Sequence, residues 1–397
     1  MSGEIVKKAE STPSYPKTGK IKLFFFGCLL VIVSLVAMEV FSFSIIKFTK
    51  NKGPYRDRVG QVRNPYHPYL GYVHAPNYTL EISKGPVRGM RLVTDENGYS
   101  VTPSYTYADP DIIILVTGGS TIFGIGSSDN SKTVPSILER LINEQLNIRA
   151  EVVNLALRGG QSFQAMLLVD RFFAENHADL VLAVGGVNEA AGVISDPTVE
   201  GAFLGKHVWN NAVSLVHRAE RGEFMLINLG SKLRSWSYTY DLLYRQFDKL
   251  KKKKSQPPAQ PDEPNLRRTA FTNINQRAKI AATHYAATDQ ISKMNGARFI
   301  MFLQPTPNYK RKWTEKEASR ISRKYESEGL MLAYRQKERD FYDAFNKTEK
   351  PFQFVDLSNI FSEAEETLYV DHCHYNDLAA EKLAEKIFES VQPLLNK

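Results

Sequence analysis

"DIIILVTGGSTIFGIG", residues 111–126, is the stretch whose reading decides the fold. A short, unbroken apolar run ends in Gly118 and Gly119, and a serine, Ser120, follows at once. A strand covered by helices on both faces shows no polar alternation, which is how parallel strands read. Two runs of the same kind follow, "AEVVNLAL" at 150–157 and "ADLVLAVGG" at 178–186. Residues 133–146 ("TVPSILERLINEQL") space Ile137, Leu138, Leu141 and Ile142 along one helical face, and "SFQAMLLVDRFFAEN" also reads as helix. Further on, the pattern predicts a helix over 274–295, a strand over 297–305, a long charged helical stretch over 314–346 and a last strand over 352–358. A closing helix follows, with Leu378, Leu383, Ile387, Val391 and Leu394 on one face and Asn376 or Asp377 as N-cap. This alternation predicts a three-layer α/β domain with a mainly parallel sheet.

Upstream the chain changes character. "LFFFGCLLVIVSLVAMEVFSFSII", Leu23–Ile46, is apolar apart from Glu39. As a helix it would reach about 36 Å, enough to cross a hydrocarbon core with some tilt. One carboxylate at mid-membrane costs about 2.5–3.5 kcal/mol, which the surrounding Phe, Leu, Ile and Val outweigh. A cleaved signal peptide would have a shorter apolar region ending in a small-x-small site. The reading is therefore a retained anchor over 22–48, preceded by a disordered cytoplasmic tail over 1–21. Both flanks are basic, and the preferred orientation places the bulk of the chain outside the cytoplasm. Residues 49–110 form a loop-heavy lead-in with β-like runs near 79–83 and 90–94. Periodicity weakens across an insertion at about 195–270, where "KLKKKKSQPPAQPDEP" (249–264) reads as an exposed linker.

The 397 residues carry a formal charge of +8, much of it in the N-terminal region and in Lys249 with Lys251–Lys254. Without interleaved aromatic and basic residues such runs are solvated faces, and no nucleic-acid partner is expected. Cys28 and Cys373 are the two cysteines, one in the apolar run and one near the end, so no disulfide joins them. A phosphate-binding loop would need a Gly-Lys-Ser/Thr end, which is absent, and the glycines at 118–126 are not spaced as a dinucleotide fingerprint, so no cofactor is expected.

Ligands of a parallel sheet bind beyond the carboxyl ends of its strands. Ser120 follows the first strand, Gly159 and Gly160 the second, and Asn188 the third. Near the chain's end stands "YVDHCHYNDLAAEKLAE", residues 369–385. Its Asp371-His372-Cys373-His374 could be a metal clip, a cysteine with its base, or half of a site completed from upstream. Neighbouring residues seldom converge on one ion, and no second Cys/His cluster completes four ligands. The third option has a definite chemistry. Acyl transfer through serine needs a hydroxyl, a base, an orienting carboxylate and donors for an oxyanion. Ser120, His374 and Asp371 supply the first three, and the Ser120 and Gly159 amides with the Asn188 side chain supply the last.

At this point the chain resembles the SGNH hydrolase (GDSL-like esterase/lipase) superfamily, whose four blocks appear in order. Here they read "LVTGGSTIFG", "NLALRGGQS", "GGVNEA" and "YVDHCHYNDLAAEKLAE". Gly119 stands where an aspartate is common, and Asn-Glu stands for Asn-Asp. "HPYLGY" (67–72) and "TDENGYSV" (94–101) behind the anchor resemble membrane-anchored bacterial members found with surface-polysaccharide machinery. The resemblance implies a flavodoxin-like sandwich with nucleophile Ser120, base His374, orienter Asp371, and an oxyanion hole of Ser120, Gly159 and Asn188. It leaves His372 and Cys373 as filler, with Cys373 packed inward and no metal ligand among them. The remaining histidines, His74 and His284 among them, read as structural or exposed.

The expected function is that of a membrane-anchored serine esterase removing O-acyl, chiefly O-acetyl, groups from an extracytoplasmic polysaccharide. The same triad serves a polysaccharide O-acyltransferase, the close alternative. A non-catalytic scaffold bound to a membrane protein partner is the third reading. The partners expected are the membrane and an acylated glycan or other ester.

Overall fold

The computed structural model describes residues 17–48, 65–67, 69–82, 87–103, 105, 107–195, 229, 233–234, 236–254, 263–322 and 328–395. Most of the expected tail, and residues 196–228 of the expected insertion, lie outside them. Contacts divide the chain into two units, residues 61–220 with 260–397, and residues 1–60 with 221–259.

The larger unit is built on five strands, β5 (Ile112–Gly118), β6 (Ala150–Asn154), β7 (Leu180–Gly185), β8 (Arg298–Leu303) and β9 (Gln353–Asp356). They form one sheet in the order β6-β5-β7-β8-β9, and every pairing is parallel. This is the flavodoxin-like strand order, which reverses direction between its first and third strands, here β5 and β7. Gly118 at the tip of β5 is in register with Val184 near the tip of β7. The reversal therefore opens a crevice beside the residues that follow both strands.

Alternate strand residues feed two cores, because successive side chains point to opposite faces. Ile114, Val116, Leu180, Leu182, Val184, Ile300 and Phe302 pack against α3 (Val134–Leu146) and α10 (Asp377–Leu395). Leu115, Val181, Ala183, Phe299, Met301 and Leu303 pack against α4 (Ser162–Phe173), α7 (Glu263–Met294) and α9 (Glu328–Lys347). Burying each such aliphatic or aromatic side chain contributes about 1.5–3 kcal/mol, so the unbroken apolar runs are what three layers require. Thr133 caps α3 by accepting from the Ser136 amide. Asn376 caps α10, its Oδ1 accepting from the Ala379 amide at 2.9 Å.

Several boundaries move. The expected strand at 150–157 ends at Asn154, and the charged stretch at 314–346 divides into α8 (Glu315–Ser322) and α9. On α10 the buried line runs through Leu383, Ile387, Val391 and Leu395, while Leu378 is exposed. Leu395, not Leu394, continues the four-residue ridge. The lead-in holds two antiparallel pairs, β1 (Tyr66–His67) with β2 (Gly71–Tyr72) and β3 (Thr79–Ile82) with β4 (Met90–Val93).

In the smaller unit, α1 runs Lys17–Phe48, and its Lys22–Ile45 segment is long and apolar enough to cross a membrane. Helix α6 (Tyr238–Lys254) packs beside it. The expected linker at 249–264 is therefore helical through Lys254, and α7 begins at Glu263. Lysine is a good helix former, and composition alone does not separate a basic helix end from a loop.

Candidate active site

Ser120 opens a four-residue helix, α2 (Ser120–Phe123), directly after β5, with Gly119 at its N-cap position. Its Oγ lies 2.8 Å from His374 Nε2, although the two residues are 254 positions apart. His374 Nδ1 lies 2.7 Å from Asp371 Oδ2. The other Asp371 oxygen accepts from the Cys373 and His374 amides at 3.0 and 2.9 Å. The three-residue separation thus closes a tight turn in which the carboxylate is held by its own loop and turned onto the imidazole. Ser120, Asp371 and His374 are half-buried, so the relay is not sealed.

Two loops must press together for this contact, and glycine permits it. Gly126 has φ +109°, and a Cβ there would overlap the Tyr375 carbonyl. Tyr375 itself is bolted down: its hydroxyl donates to Pro305 O at 2.8 Å and accepts from Gln304 Nε2 at 3.1 Å, both just past β8. Glu317 on α8 accepts from the Leu368 and Tyr369 amides, at 2.8 and 3.2 Å, and pairs with Lys310 at 2.8 Å in full burial. The segment before Asp371 is thereby fixed to the sheet's far half.

The donor side assembles around Gly119. Asn188, in the first turn of α5 (Val187–Ser195) after β7, donates from Nδ2 to Gly160 O at 2.7 Å. A Cβ at position 119 would overlap that same amide. This gives a physical reason for Gly119 in place of an aspartate, since any side chain there would displace Asn188. Gly159 has φ +75° and stands exposed on the loop after β6. The Ser block, the Gly block, the Asn block and the late Asp-x-x-His turn therefore meet at one sheet edge, across the β5/β7 reversal.

Ser120, His374 and Asp371 thus stand in one hydrogen-bonded chain, and Asn188 meets the loop that carries Gly159.

The lead-in contributes contacts that a reading of the four blocks leaves out. The Tyr72 hydroxyl donates to the Arg158 carbonyl, and His74 Nε2 accepts from the Arg158 amide at 3.2 Å. Both hold the loop that carries Gly159. Tyr72 ends "HPYLGY", so the signal lay in that motif, though nothing in the sequence tied it to residue 158. His74 is buried against Phe123, with ring centroids 4.2 Å apart. Burial, helped by the Arg158 charge, pushes its pKa down to about 3, so it stays a neutral acceptor.

Electrostatics separates the members of the relay. Burial alone would raise the Asp371 pKa, but the bond and charge of His374, the charge of His372 and the Cys373 amide hold it well below the usual carboxylate range. Burial alone would lower His374, but the Cys373 sulfur and the Asp371 carboxylate outweigh it and raise the imidazole above its ordinary value. Cys373 is buried, its Sγ 3.5 Å from His372 Nε2 and 3.6 Å from His374 Nδ1. The ligand atoms of Asp371, His372 and Cys373 lie within 4.8 Å of one another, so adjacency in sequence did not keep them apart. Asp371 is nevertheless committed to His374 and two backbone amides.

No family model and no curated protein sequence matches this chain. Among solved structures it is similar to an acetylxylan esterase from Geobacillus stearothermophilus, at 12% identity and TM-score 0.34, over 72% of this chain and 96% of that one. It is also similar to a member of the lipolytic protein G-D-S-L family from Veillonella parvula, at 10% identity and TM-score 0.35, over 70% and 98%. A lipase/acylhydrolase from Enterococcus faecalis is similar at 10% identity and TM-score 0.33, over 71% and 96%. At those scores the likeness is loose, and the reading of the site rests on the chain's own geometry.

Proposed function

We propose that this chain is a serine esterase of the SGNH type, tethered to a membrane and acting on O-acyl groups, chiefly O-acetyl, of an extracytoplasmic polysaccharide. One observation carries the chemistry: the unbroken Ser120–His374–Asp371 relay at 2.8 and 2.7 Å. His374 Nε2 takes the proton of Ser120 Oγ as that oxygen attacks the ester carbonyl carbon. Asp371 keeps the ring in the tautomer that presents Nε2 and stabilises the imidazolium that forms. The negative oxygen of the tetrahedral adduct is received by the Ser120 and Gly159 amides and by Asn188. An amide NH₂ has two donors, and the bond from Asn188 to Gly160 O uses one while fixing the direction of the other. His374 then gives its proton to the departing sugar oxygen, leaving an acyl-Ser120. Water, deprotonated by His374, attacks that acyl group, and as the adduct collapses His374 returns the proton to Ser120 Oγ, releasing the acid and restoring the serine.

The proposed placement is read from the length and apolar composition of α1. With Lys22–Ile45 spanning the bilayer, the amino terminus cytoplasmic and the larger unit outside, the relay is kept beside chains emerging from the membrane. The test is direct. The full chain in detergent is treated with a fluorophosphonate, and separately with an acetylated glycan plus an unacetylated acceptor glycan. Labelling at Ser120 with release of free acetate is expected. Acetylated acceptor in place of free acetate would make the protein a transferase. Absence of labelling and of turnover would overturn the catalytic reading and leave a scaffold.

A further inference from the structure

The smaller unit contains a contact that the ester chemistry does not use. Glu39, the one charge inside the apolar stretch of α1, is turned onto the start of α6. Its Oε2 accepts from Ser237 Oγ at 2.9 Å and from the Thr239 amide at 3.2 Å, and its Oε1 accepts from the Tyr238 amide. Thr239 Oγ1 donates to Ser42 Oγ at 3.1 Å, and the Tyr238 ring meets Phe43 edge-on with centroids 5.1 Å apart. A carboxylate at a helix N-terminus satisfies orphan amides and faces the positive end of the helix dipole. That offsets the cost of keeping the charge in an apolar segment. Glu39 therefore works as a latch between the two helices.

The latch is placed at a particular depth. Glu39 stands six residues before Ile45, the end of the apolar segment, or about 9 Å along the helix axis. Helices that lie in the membrane–water boundary sink their apolar face by about 5–10 Å. The faces of α6 suit that position. Tyr240, Leu243, Tyr244 and Phe247 recur at the i, i+3, i+4, i+7 spacing and are exposed by 37%, 54%, 46% and 65%, with Trp236 one turn ahead at 76%. Asp241, on another face, is buried and paired with Arg234 at 3.0 Å and Arg245 at 2.5 Å. Tyrosine and tryptophan are the aromatic residues favoured at the boundary. The helix ends in Lys249 and Lys251–Lys254, a charge complementary to anionic headgroups.

We propose that α6 is an interfacial helix, latched to the span by Glu39, with Tyr240, Leu243 and Phe247 in the lipid, Tyr244 at the boundary beneath the Arg234 guanidinium (3.9 Å from its ring centroid), and its lysine run on an anionic phospholipid surface. This rests on Lys22–Ile45 being a span and is independent of the triad. The helix would set the chain's docking on the bilayer by lipid charge, a second point of attachment beside the anchor.

The test places a photo-crosslinking residue at the helix's apolar face, Phe247→p-benzoylphenylalanine. The full chain is reconstituted in vesicles of phosphatidylcholine alone or of phosphatidylcholine with phosphatidylglycerol. Flotation in carbonate first reports whether the chain is held by its span. After illumination, phospholipid adducts are expected by mass spectrometry, with higher yield on the anionic vesicles. Replacing the five lysines (K249Q, K251Q, K252Q, K253Q and K254Q together) should cut the yield several-fold on anionic vesicles and leave it unchanged on neutral ones. Glu39→Ala should lower it on both. Adducts to a second copy of the chain, or none at all in a chain that floats, would overturn the interfacial helix while leaving the anchor in place. A chain that does not float would remove both, and its ester turnover, measured separately, would be untouched by that result. Yields indifferent to the lysines would overturn the anionic-lipid assignment.

Discussion

Two serine–histidine pairs sit in the same larger unit, and only one has the makings of a catalyst. Ser120 Oγ is 2.8 Å from His374, and Ser162 Oγ is 3.0 Å from His284. By contact distance they are nearly alike. The first pair lies beyond the carboxyl tips of β5 and β7 and is half-buried, and Asp371 holds the imidazole nitrogen facing away from the serine. The second is sealed between α4 and α7, with Ser162 and His284 both buried. There His284 meets the serine through Nδ1, not Nε2, and the nearby carboxylate of Glu189 takes the Ser162 and Gly186 amides at 2.6 and 3.0 Å. Burial pushes His284 down to about 4, whereas His374 is raised. A hydroxyl–imidazole hydrogen bond between two buried side chains, with the ring held neutral, is ordinary packing; the Ser120–His374 bond differs in its opening beyond the strand tips and in the Asp371 carboxylate on the raised imidazole.

The widest separation between the pairs should appear on removing each hydroxyl. Ser120→Ala is expected to lower kcat on an acetyl ester by about 10⁴–10⁶-fold. Ser162→Ala should leave kcat within about twofold and cost about 1 kcal/mol of stability, read by urea denaturation. Equal losses of activity in the two variants would erase the distinction.

Next comes the carboxylate. Asp371→Asn should lower kcat/KM by about 10⁴-fold. Only neutral His374 can accept the serine proton, and its pKa is raised, so the wild-type rate should fall as pH drops through a limb lying above the ordinary imidazole value near 6.5. The variant's residual rate should show that limb shifted to lower pH. A limb that stays in place would mean that Asp371 does not set the charge of His374.

The smallest effect on catalysis is expected at His284, where the pH effect falls on folding. Its folded pKa is about 4 and its unfolded pKa about 6.5, so between those values the unfolded chain binds the extra proton. The stabilisation is fully present above pH 6.5 and is lost as pH falls toward 4, by roughly 3 kcal/mol over the window. His284→Gln should flatten that part of the stability profile and leave kcat at pH 8 within about twofold. An unchanged profile would show that His284 is not buried as a neutral group.

The β5, β7 and β8 runs were legible because both faces of each strand are covered, so apart from Thr117 in β5 and the leading Arg298 of β8 they are apolar. The four blocks could be picked out because their residue types are those the proposed ester chemistry would use. Other contributors were not. Nothing near Tyr72 or His74 announces that both hold the Arg158 backbone. The overlap of any side chain at 119 with Asn188 also involves a partner 69 positions away, known only once β5 and β7 are neighbours. The lysine run looked like a linker because composition reports solvation, and a solvated helix end has the same composition as a loop.

Burial pattern is local information. A strand or helix repeats its exposure with a period set by backbone geometry, so the sequence alone determined the parallel α/β layers, an apolar helix of membrane length and the residue types available for chemistry. Choice of partner is not local. Whether His374 or His284 faces the hydroxyl beyond the strand tips depended on which strands became neighbours and where the strand order reversed. Whether Glu39 lay bare on an apolar helix or capped the start of α6 depended on a segment nearly two hundred residues away. Those pairings follow from packing, and only the tertiary structure decided them.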